Sequence, residues 1–207
     1  MADGSKSART RQRLLDAGAR LFRERGYANT RLSDIADAAG IRTGSMYYYF
    51  SSREQLVLEI LQVGVDNAWH AVDAALAALP PGAAARDRLH TAIRAHVTLV
   101  LETSDYASAH PRIMGEVPAA VRDQHLARQR EYGDRWQSLF EDAQRTGDID
   151  PAADLFVARL MVFSAMNSLA GLRRPADDAA LERVAEQAAT MLTTGLAARA
   201  DRNGGQE

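Results

Sequence analysis

The chain contains no cysteine, which excludes disulfide bonds and thiolate metal sites and fits a reducing compartment. The N-terminal residues MADGSKSART lack the apolar core of a secretory signal peptide, so we expect a cytoplasmic protein. The five histidines include no pair spaced four residues apart, which argues against a metal site. No nucleophile with a base and an orienting group can be identified, and no phosphate-binding glycine loop is present, so we expect no enzyme and no cofactor.

What is present indicates a globular protein of two parts. The 207 residues are 46% hydrophobic and 25% charged, enough for a small domain and a larger one with its own core. Residues 1–60 carry 10 Lys and Arg against 7 Asp and Glu, whereas residues 61–207 carry 15 against 20. The positive end therefore suits contact with phosphate groups.

Residues 30–56, TRLSDIADAAGIRTGSMYYYFSSREQL, predict two short helices around a tight turn. Gly40 ends the first of them, as glycine does just past a helix C-terminus. The second runs from about Thr43 to Phe50 and can bury Met46 and Phe50 while its polar side chains stay outside. This arrangement is typical of a helix-turn-helix, whose second helix enters the DNA major groove.

The same residues carry a family resemblance. The runs RLLDAGARLFRERGYANT and DIADAAGIRTGSMYYYFSSREQL closely resemble the DNA-binding domain of TetR-family transcriptional repressors, over about residues 9–61. Three positions depart from the usual pattern: Arg31 replaces a frequent Thr or Ser, Arg42 a frequent Ser, and Thr43 a frequent Lys. These departures affect the expected base preference, not the expected fold.

Candidate base contacts lie at the start of the second helix. Arg42 either donates two hydrogen bonds to guanine O6 and N7 or binds a phosphate. Thr43 and Ser45 are short hydroxyl donors, and Gly44 lets the backbone approach the duplex closely.

Three consecutive tyrosines follow, and they cannot all face outward on a helix. We expect Tyr49 to pack inside, leaving Tyr47 and Tyr48 to meet a thymine methyl group or a phosphate oxygen. The resemblance favours the same two, because TetR-like proteins place the matching residues at DNA.

Three candidate phosphate contacts flank this helix. Thr30 either caps the first helix of the helix-turn-helix or binds a phosphate at the N-terminus of that helix. Ser33, one turn further along the same helix, can face the DNA backbone. Arg53 occupies a position where the family usually has a phosphate-binding Lys, and its guanidinium can grip two oxygens.

The segment AADLFVARLMVFSAMNSLAGLRR is apolar on nearly all sides, and Asp150-Pro151 before it predicts a helix start. Because Arg159 and several polar groups interrupt it, a helix buried on two sides fits better than a membrane span. The resemblance implies that this helix and the last one, about 151–173 and 179–199, form a four-helix dimer bundle.

A ligand cavity is predicted in the larger domain, lined by mostly apolar or amphipathic side chains. Ordinary core packing is the alternative for each of them. The candidates are Asn67, His70, His96, Tyr106, Met114, Tyr132, Trp136, Phe140 and Asn167.

A looser resemblance concerns the effector. HLARQREYGDRWQSLFEDAQRTGDID and LMVFSAMNSLAGLRRP are similar to the effector domain of TetR-type repressors of fatty-acid or sterol breakdown, a branch that responds to acyl-CoA thioesters. Arg174 matches an arginine common there and either binds a CoA phosphate or is an ordinary helix-end charge. Leu172 stands where that branch often has tryptophan.

We therefore predict an all-α fold of about nine helices. Residues 1–52, ordered from about residue 8, form a three-helix DNA-binding domain, residues 53–200 a ligand-binding and dimerisation domain, and residues 201–207 a disordered tail. The expected function is a homodimeric repressor on a palindromic operator, with its two recognition helices about 34 Å apart and released by a small hydrophobic effector. A ligand-independent DNA-binding interaction or architectural protein is the alternative.

Overall fold

The computed structural model describes residues 2–102, 105–171 and 175–197. Within them the chain forms nine α-helices and no strand, which confirms the predicted all-α fold. The helices are α1 (Ala2–Arg25), α2 (Leu32–Ala38), α3 (Thr43–Met46), α4 (Arg53–Ala77), α5 (Ala85–Leu101), α6 (Asp105–Ile113), α7 (Ala119–Arg145), α8 (Leu155–Ser168) and α9 (Asp178–Leu196), with a 3-10 turn at Leu169–Gly171. The predicted CoA ligand Arg174 and the predicted tail at 201–207 lie outside the described residues.

Packing divides the chain into two compact units. Unit 1 contains residues 1–67 and 103–130, and unit 2 contains residues 68–102 and 131–207. The division falls within α4 and within α7, and so differs from the predicted boundary at residues 52/53. The reason is that the first turns of α4 bury Leu56 and Ile60 in the same core as α1.

The core of unit 1 is formed by the apolar faces of α1, α2, α6 and the start of α4. Leu14, Phe22, Ile35 and Ile113 are all 0% exposed within it. α1 packs along both α2 and α6, and α2 packs against α3. The helix-turn-helix therefore shares one hydrophobic core with α1, α6 and the start of α4.

Unit 2 is built around α5, which packs against α8 and along α9. α5 buries Leu89, Ile93 and Val97, and α9 buries Leu181 and Ala185 against it. No helix within the described part of the chain has the length and apolar character needed to cross a membrane.

Two helix ends of unit 1 differ from the sequence prediction. α1 already begins at Ala2, whereas order was expected from about residue 8. No proline interrupts the helix, and Thr10 Oγ1 donates to the carbonyl oxygen of Lys6 at 3.0 Å. α3 ends at Met46 and not near Phe50. The N–H groups of Tyr49 and Phe50 both donate to the Met46 carbonyl oxygen, at 2.8 and 3.0 Å, so the chain continues as tight turns.

The predicted helix start at Asp150-Pro151 is wrong. Asp150 instead forms a turn in which its Oδ1 accepts from the N–H of Ala152 at 2.8 Å. α8 begins four residues later, because Asp154 Oδ1 caps it by accepting from the N–H groups of Phe156 and Val157 at 2.8 and 3.2 Å.

Candidate DNA interface and effector site

The recognition segment is α3 with the turn that follows it. Its inner side is anchored by Met46 and Phe50, both fully buried. Its outer side carries Tyr47, which is 58% exposed, and Tyr48, which is 82% exposed. Tyr49 is partly buried against the core of unit 1, as predicted, and its ring meets that of Tyr48 edge to face at 5.2 Å. Two adjacent aromatic side chains are thereby presented to solvent.

The other predicted base contacts are also accessible. Arg42 is the N-terminal cap residue of α3 and is exposed. Gly44 and Ser45 are exposed and Thr43 is partly so. A Cβ added at Gly44 would meet no atom within 4 Å, so this side of α3 is open. The structure thus brings six predicted contacts, residues 42–45, 47 and 48, onto one short segment.

Thr30 has a different role from the one predicted. It is fully buried, and its hydroxyl donates to the Gly26 carbonyl oxygen at 2.8 Å. The cap residue of α2 is Arg31, whose N–H donates to Asp34 Oδ2 at 3.0 Å. The hydroxyl of Thr30 is therefore turned away from any phosphate, while Ser33 on α2 remains partly exposed.

Arg53 is also engaged inside the protein. Its Nη1 donates to the carbonyl oxygens of Tyr27 and Thr30 at 3.2 and 3.1 Å, and its guanidinium lies 4.0 Å from the centre of the Tyr27 ring. The Tyr27 hydroxyl donates to Glu54 Oε1 at 3.0 Å, and burial raises the pKa of Tyr27. Arg53 therefore fastens the turn between α1 and α2 to the start of α4.

Four of the predicted effector residues come together in unit 2. His96 lies between Tyr132 and Asn167, with its Nδ1 at 3.1 Å from the Tyr132 hydroxyl and its Nε2 at 3.2 Å from Asn167 Oδ1. Because an amide oxygen only accepts, His96 donates from Nε2 and accepts the tyrosine proton at Nδ1. Burial lowers the pKa of His96 to about 4, so the ring is neutral near pH 7.

Aromatic rings pack around His96 and Tyr132, while Asn167 itself is exposed. The ring centre of Trp136 lies 5.9 Å from that of His96 and 5.1 Å from that of Phe163. Trp69 packs against Tyr132 at 5.8 Å. The sequence prediction missed Phe163 and Trp69; the signal for Phe163 was its position on α8, one turn before Asn167. We call these six residues, 69, 96, 132, 136, 163 and 167, the aromatic cluster.

The remaining effector candidates do not join the aromatic cluster. Asn67, Tyr106 and Met114 belong to unit 1, where Tyr106 donates to Asp16 Oδ1 at 2.7 Å and Met114 packs on the core. His70 is exposed. Phe140 is fully buried in unit 2.

Two surface clefts in the described part of the chain are lined by other residues. One, of about 230 Å³, is lined by α5 residues such as Arg94 and Thr98 and by Glu182 of α9. The other, of about 410 Å³, lies in unit 1 between Arg13 and Asp37. Neither is lined by a residue predicted to bind the effector.

Comparison with known families decides the classification. Residues 14–60 match the family model described as bacterial regulatory proteins of the tetR family, and residues 82–196 match that of the tetracyclin repressor-like C-terminal domain. The chain belongs to the TetR family. It is therefore a DNA-binding transcriptional regulator of the repressor type, and not an enzyme.

Individual relatives agree with this classification. A stretch of 65 residues is 49% identical to the HTH-type transcriptional repressor KstR2 of Rhodococcus jostii, a match covering 31% of this chain and 32% of the relative. The chain thus spans about a third of the length of that relative. The solved structure of the ketosteroid regulator KstR2 of Mycobacterium tuberculosis is similar over 91% of this chain and 95% of that one, with 21% identity and a TM-score of 0.77. AibR, solved in complex with isovaleryl coenzyme A and operator DNA, is similar over 89% and 98%, with 24% identity and a TM-score of 0.74.

Proposed function

We propose that this TetR-family regulator represses transcription as a homodimer on a palindromic operator and is released by an acyl-CoA thioester. The observation that carries the DNA-binding part is the exposed side of the recognition segment, where Arg42, Tyr47 and Tyr48 face solvent above a fully buried Met46 and Phe50. Direct readout in the major groove requires hydrogen-bond donors and aromatic faces that are exposed on a segment anchored in the core. A regulator of this kind works beside the chromosome, so we place it in the cytoplasm.

The apolar side of α8 supports the homodimer. Phe156, Leu160 and Met161 are 65%, 56% and 67% exposed, and Val157 joins them at spacings of three and four residues on one side of the helix. On α9, Met191 is 67% exposed. Exposed large apolar side chains on two helices that pack together are typical of a protein interface. A second copy of the chain is the occupant that a two-fold operator demands.

The aromatic cluster is the proposed effector site. It places His96 and Tyr132 among apolar rings, with Asn167 bonded to His96 at the exposed end, and a few polar groups among apolar ones are the composition of small-molecule sites. Similarity to AibR, which was solved with isovaleryl coenzyme A, favours an acyl-CoA thioester as the ligand, with the acyl chain directed to the rings.

The experiment is fluorescence anisotropy of a labelled DNA fragment from upstream of the protein's own gene. The complex is titrated with CoA thioesters, including isovaleryl-CoA, and with the matching free acids and CoA itself. Release by a thioester but not by its acid or by CoA is the expected result. DNA binding that is indifferent to every thioester contradicts the proposed effector and leaves the DNA-binding part intact.

A regulator without a small-molecule effector is the second candidate. It is favoured by the close packing of the aromatic cluster, in which Trp136 is fully buried and its ring contacts those of His96, Tyr132 and Phe163. Under this hypothesis, replacing the cluster residues changes stability but not the response of DNA binding to any thioester.

A further inference from the structure

The first turns of α1 extend beyond the packed core of unit 1. Leu14 and Leu15 are 0% and 3% exposed, whereas none of the described side chains from residue 6 to residue 13 is buried. The match to the TetR-family model begins only at residue 14. A helical segment of about three turns therefore precedes both the core and the family pattern.

Two arginines fix where this segment lies. Arg13 Nη2 donates to the Ala39 carbonyl oxygen and lies 3.0 Å from the place that a Cβ on Gly40 would occupy. Arg11 forms an ion pair with Glu59, and its guanidinium is 4.8 Å from the centre of the Phe50 ring. Residues 11–13 of α1 are thus adjacent to the turn before the recognition segment and to the residue that ends it.

Lys6 and Arg9 continue the line of Arg13 along the helix. They precede it by seven and four residues, so the three side chains share one face of α1. At 1.5 Å per residue, Arg9 lies about 6 Å and Lys6 about 10 Å beyond Arg13 along the axis. Both are exposed, and their side chains make no hydrogen bond or ion pair with any residue that the structure describes.

On this face Lys6, Arg9 and Arg13 outnumber the one acidic residue that precedes them in the helix, Asp3. Asp16, the next acidic residue along it, accepts hydrogen bonds from Tyr106 at 2.7 Å and from Gln12 at 2.9 Å. Among the side chains that the structure describes, Lys6 and Arg9 therefore have no acidic partner, and they lie on the part of α1 next to the recognition segment.

We propose that Lys6 and Arg9 bind the phosphate backbone of the duplex that the recognition segment contacts, so that the DNA interface extends N-terminally by about two helical turns. The proposal rests on the contact between the recognition segment and DNA proposed above. Phosphate contacts position a protein on the duplex and add sequence-independent affinity that falls with salt.

The test compares the wild type with the double variant Lys6→Gln/Arg9→Gln. The control is Arg20→Gln, which removes one charge from an exposed site of α1 about 16 Å from Arg9. Anisotropy gives the affinity for the labelled upstream fragment and for a mixed-sequence duplex of equal length, between about 50 and 200 mM salt. Circular dichroism verifies that each variant keeps its helix content.

Loss of two phosphate contacts lowers the magnitude of the slope of log affinity against log salt by about 2 for each protomer bound. We expect this change on both duplexes with Lys6→Gln/Arg9→Gln and none with Arg20→Gln. An unchanged slope in the double variant overturns the proposal. The proposal is also overturned if Arg20→Gln changes the slope by as much, for each charge removed, as the double variant does. A wild type that binds both duplexes equally instead contradicts sequence recognition by the recognition segment, and the slope comparison still decides the role of Lys6 and Arg9.

Discussion

Arg53 Nη1 donates to the carbonyl oxygen of Thr30 at 3.1 Å, which ties the start of α4 to the residue that precedes α2 by two positions. The same nitrogen reaches the Tyr27 carbonyl oxygen, and the guanidinium stacks on the Tyr27 ring. One side chain thus holds the turn that positions the helix-turn-helix. The position where a phosphate contact was predicted therefore has a structural role in the free protein.

Replacing Arg53 by Ala is expected to lower the free energy of unfolding by about 2 kcal/mol, because charge-assisted hydrogen bonds and a cation–π contact are lost together. Arg53→Lys should recover only part of this, since an ammonium group cannot stack and bridge two carbonyl oxygens in the same way. Urea denaturation followed by circular dichroism measures the change. Arg31→Ala removes an exposed arginine side chain nearby and serves as the control; equal stability of Arg53→Ala and Arg31→Ala would contradict the assignment.

Stability should fall as the solution is acidified from about pH 6.5 toward pH 4. Burial lowers the pKa of His96 and of His125 to about 4, so both rings stay neutral in the folded state over a range where the unfolded chain takes up protons. Each contributes stability above pH 6.5 that is lost as the pH falls, at up to about 1.4 kcal/mol per pH unit.

Urea midpoints across this range measure the effect for the wild type and for His96→Gln. His70→Gln, which replaces an exposed histidine of the same unit, controls for the loss of an imidazole. His96→Gln should flatten the acid limb of the profile. A profile identical to that of the wild type would show that His96 is not held neutral by its surroundings.

The apolar side of α8 predicts a specific effect on oligomeric state. Leu160→Asp places a charge in the proposed interface and should yield monomers at concentrations where the wild type sediments as a dimer. Leu126→Asp is the matched control, because Leu126 is 39% exposed but lies on α7 in unit 1. Sedimentation velocity distinguishes the two, and a Leu160→Asp protein that remains dimeric would place the interface elsewhere.

Intrinsic fluorescence reports directly on the aromatic cluster. The chain has two tryptophans, Trp69 and Trp136, and both belong to the cluster. In Trp69→Phe the emission comes from Trp136 alone, and a CoA thioester that occupies the cluster should change it. If calorimetry shows that the same thioester binds while Trp136 emission does not change, the effector site lies in another part of the protein.

Features decided by neighbouring residues were predictable from the sequence. Gly40 ends α2 as predicted, with a φ of +67°, and Gly26 and Gly147 follow α1 and α7 with φ of +79° and +82°, because glycine adopts the left-handed region without steric cost. Asp150-Pro151 also satisfies a local rule, that of an N-terminal cap residue at a helix start, but no helix begins there. Asp154, four residues later, satisfies it too, and only packing selects between two competing caps.

Side chains that bind carbonyl oxygens of the turn between α1 and α2 were not predicted. Thr30 and Arg53 turn inward because the chain brings the carbonyl oxygens of Gly26 and Tyr27 to them. The exposed side of the recognition segment and the inward position of Tyr49 followed from the expected helical spacing, together with the family resemblance for Tyr47 and Tyr48. In unit 2 the sequence identified suitable residue types, but only the packing of α5, α7 and α8 shows which of them meet at His96.

The central claim is that the recognition segment distinguishes DNA sequences through Arg42, Tyr47 and Tyr48. The most direct measurement is anisotropy at fixed salt, for the wild type and the three single alanine variants, on the upstream fragment and on a mixed-sequence duplex. Each variant should lose about 1–3 kcal/mol of binding to the upstream fragment for every base contact removed, while binding to the mixed-sequence duplex changes less. Unchanged affinity and unchanged discrimination in all three variants would contradict the claim.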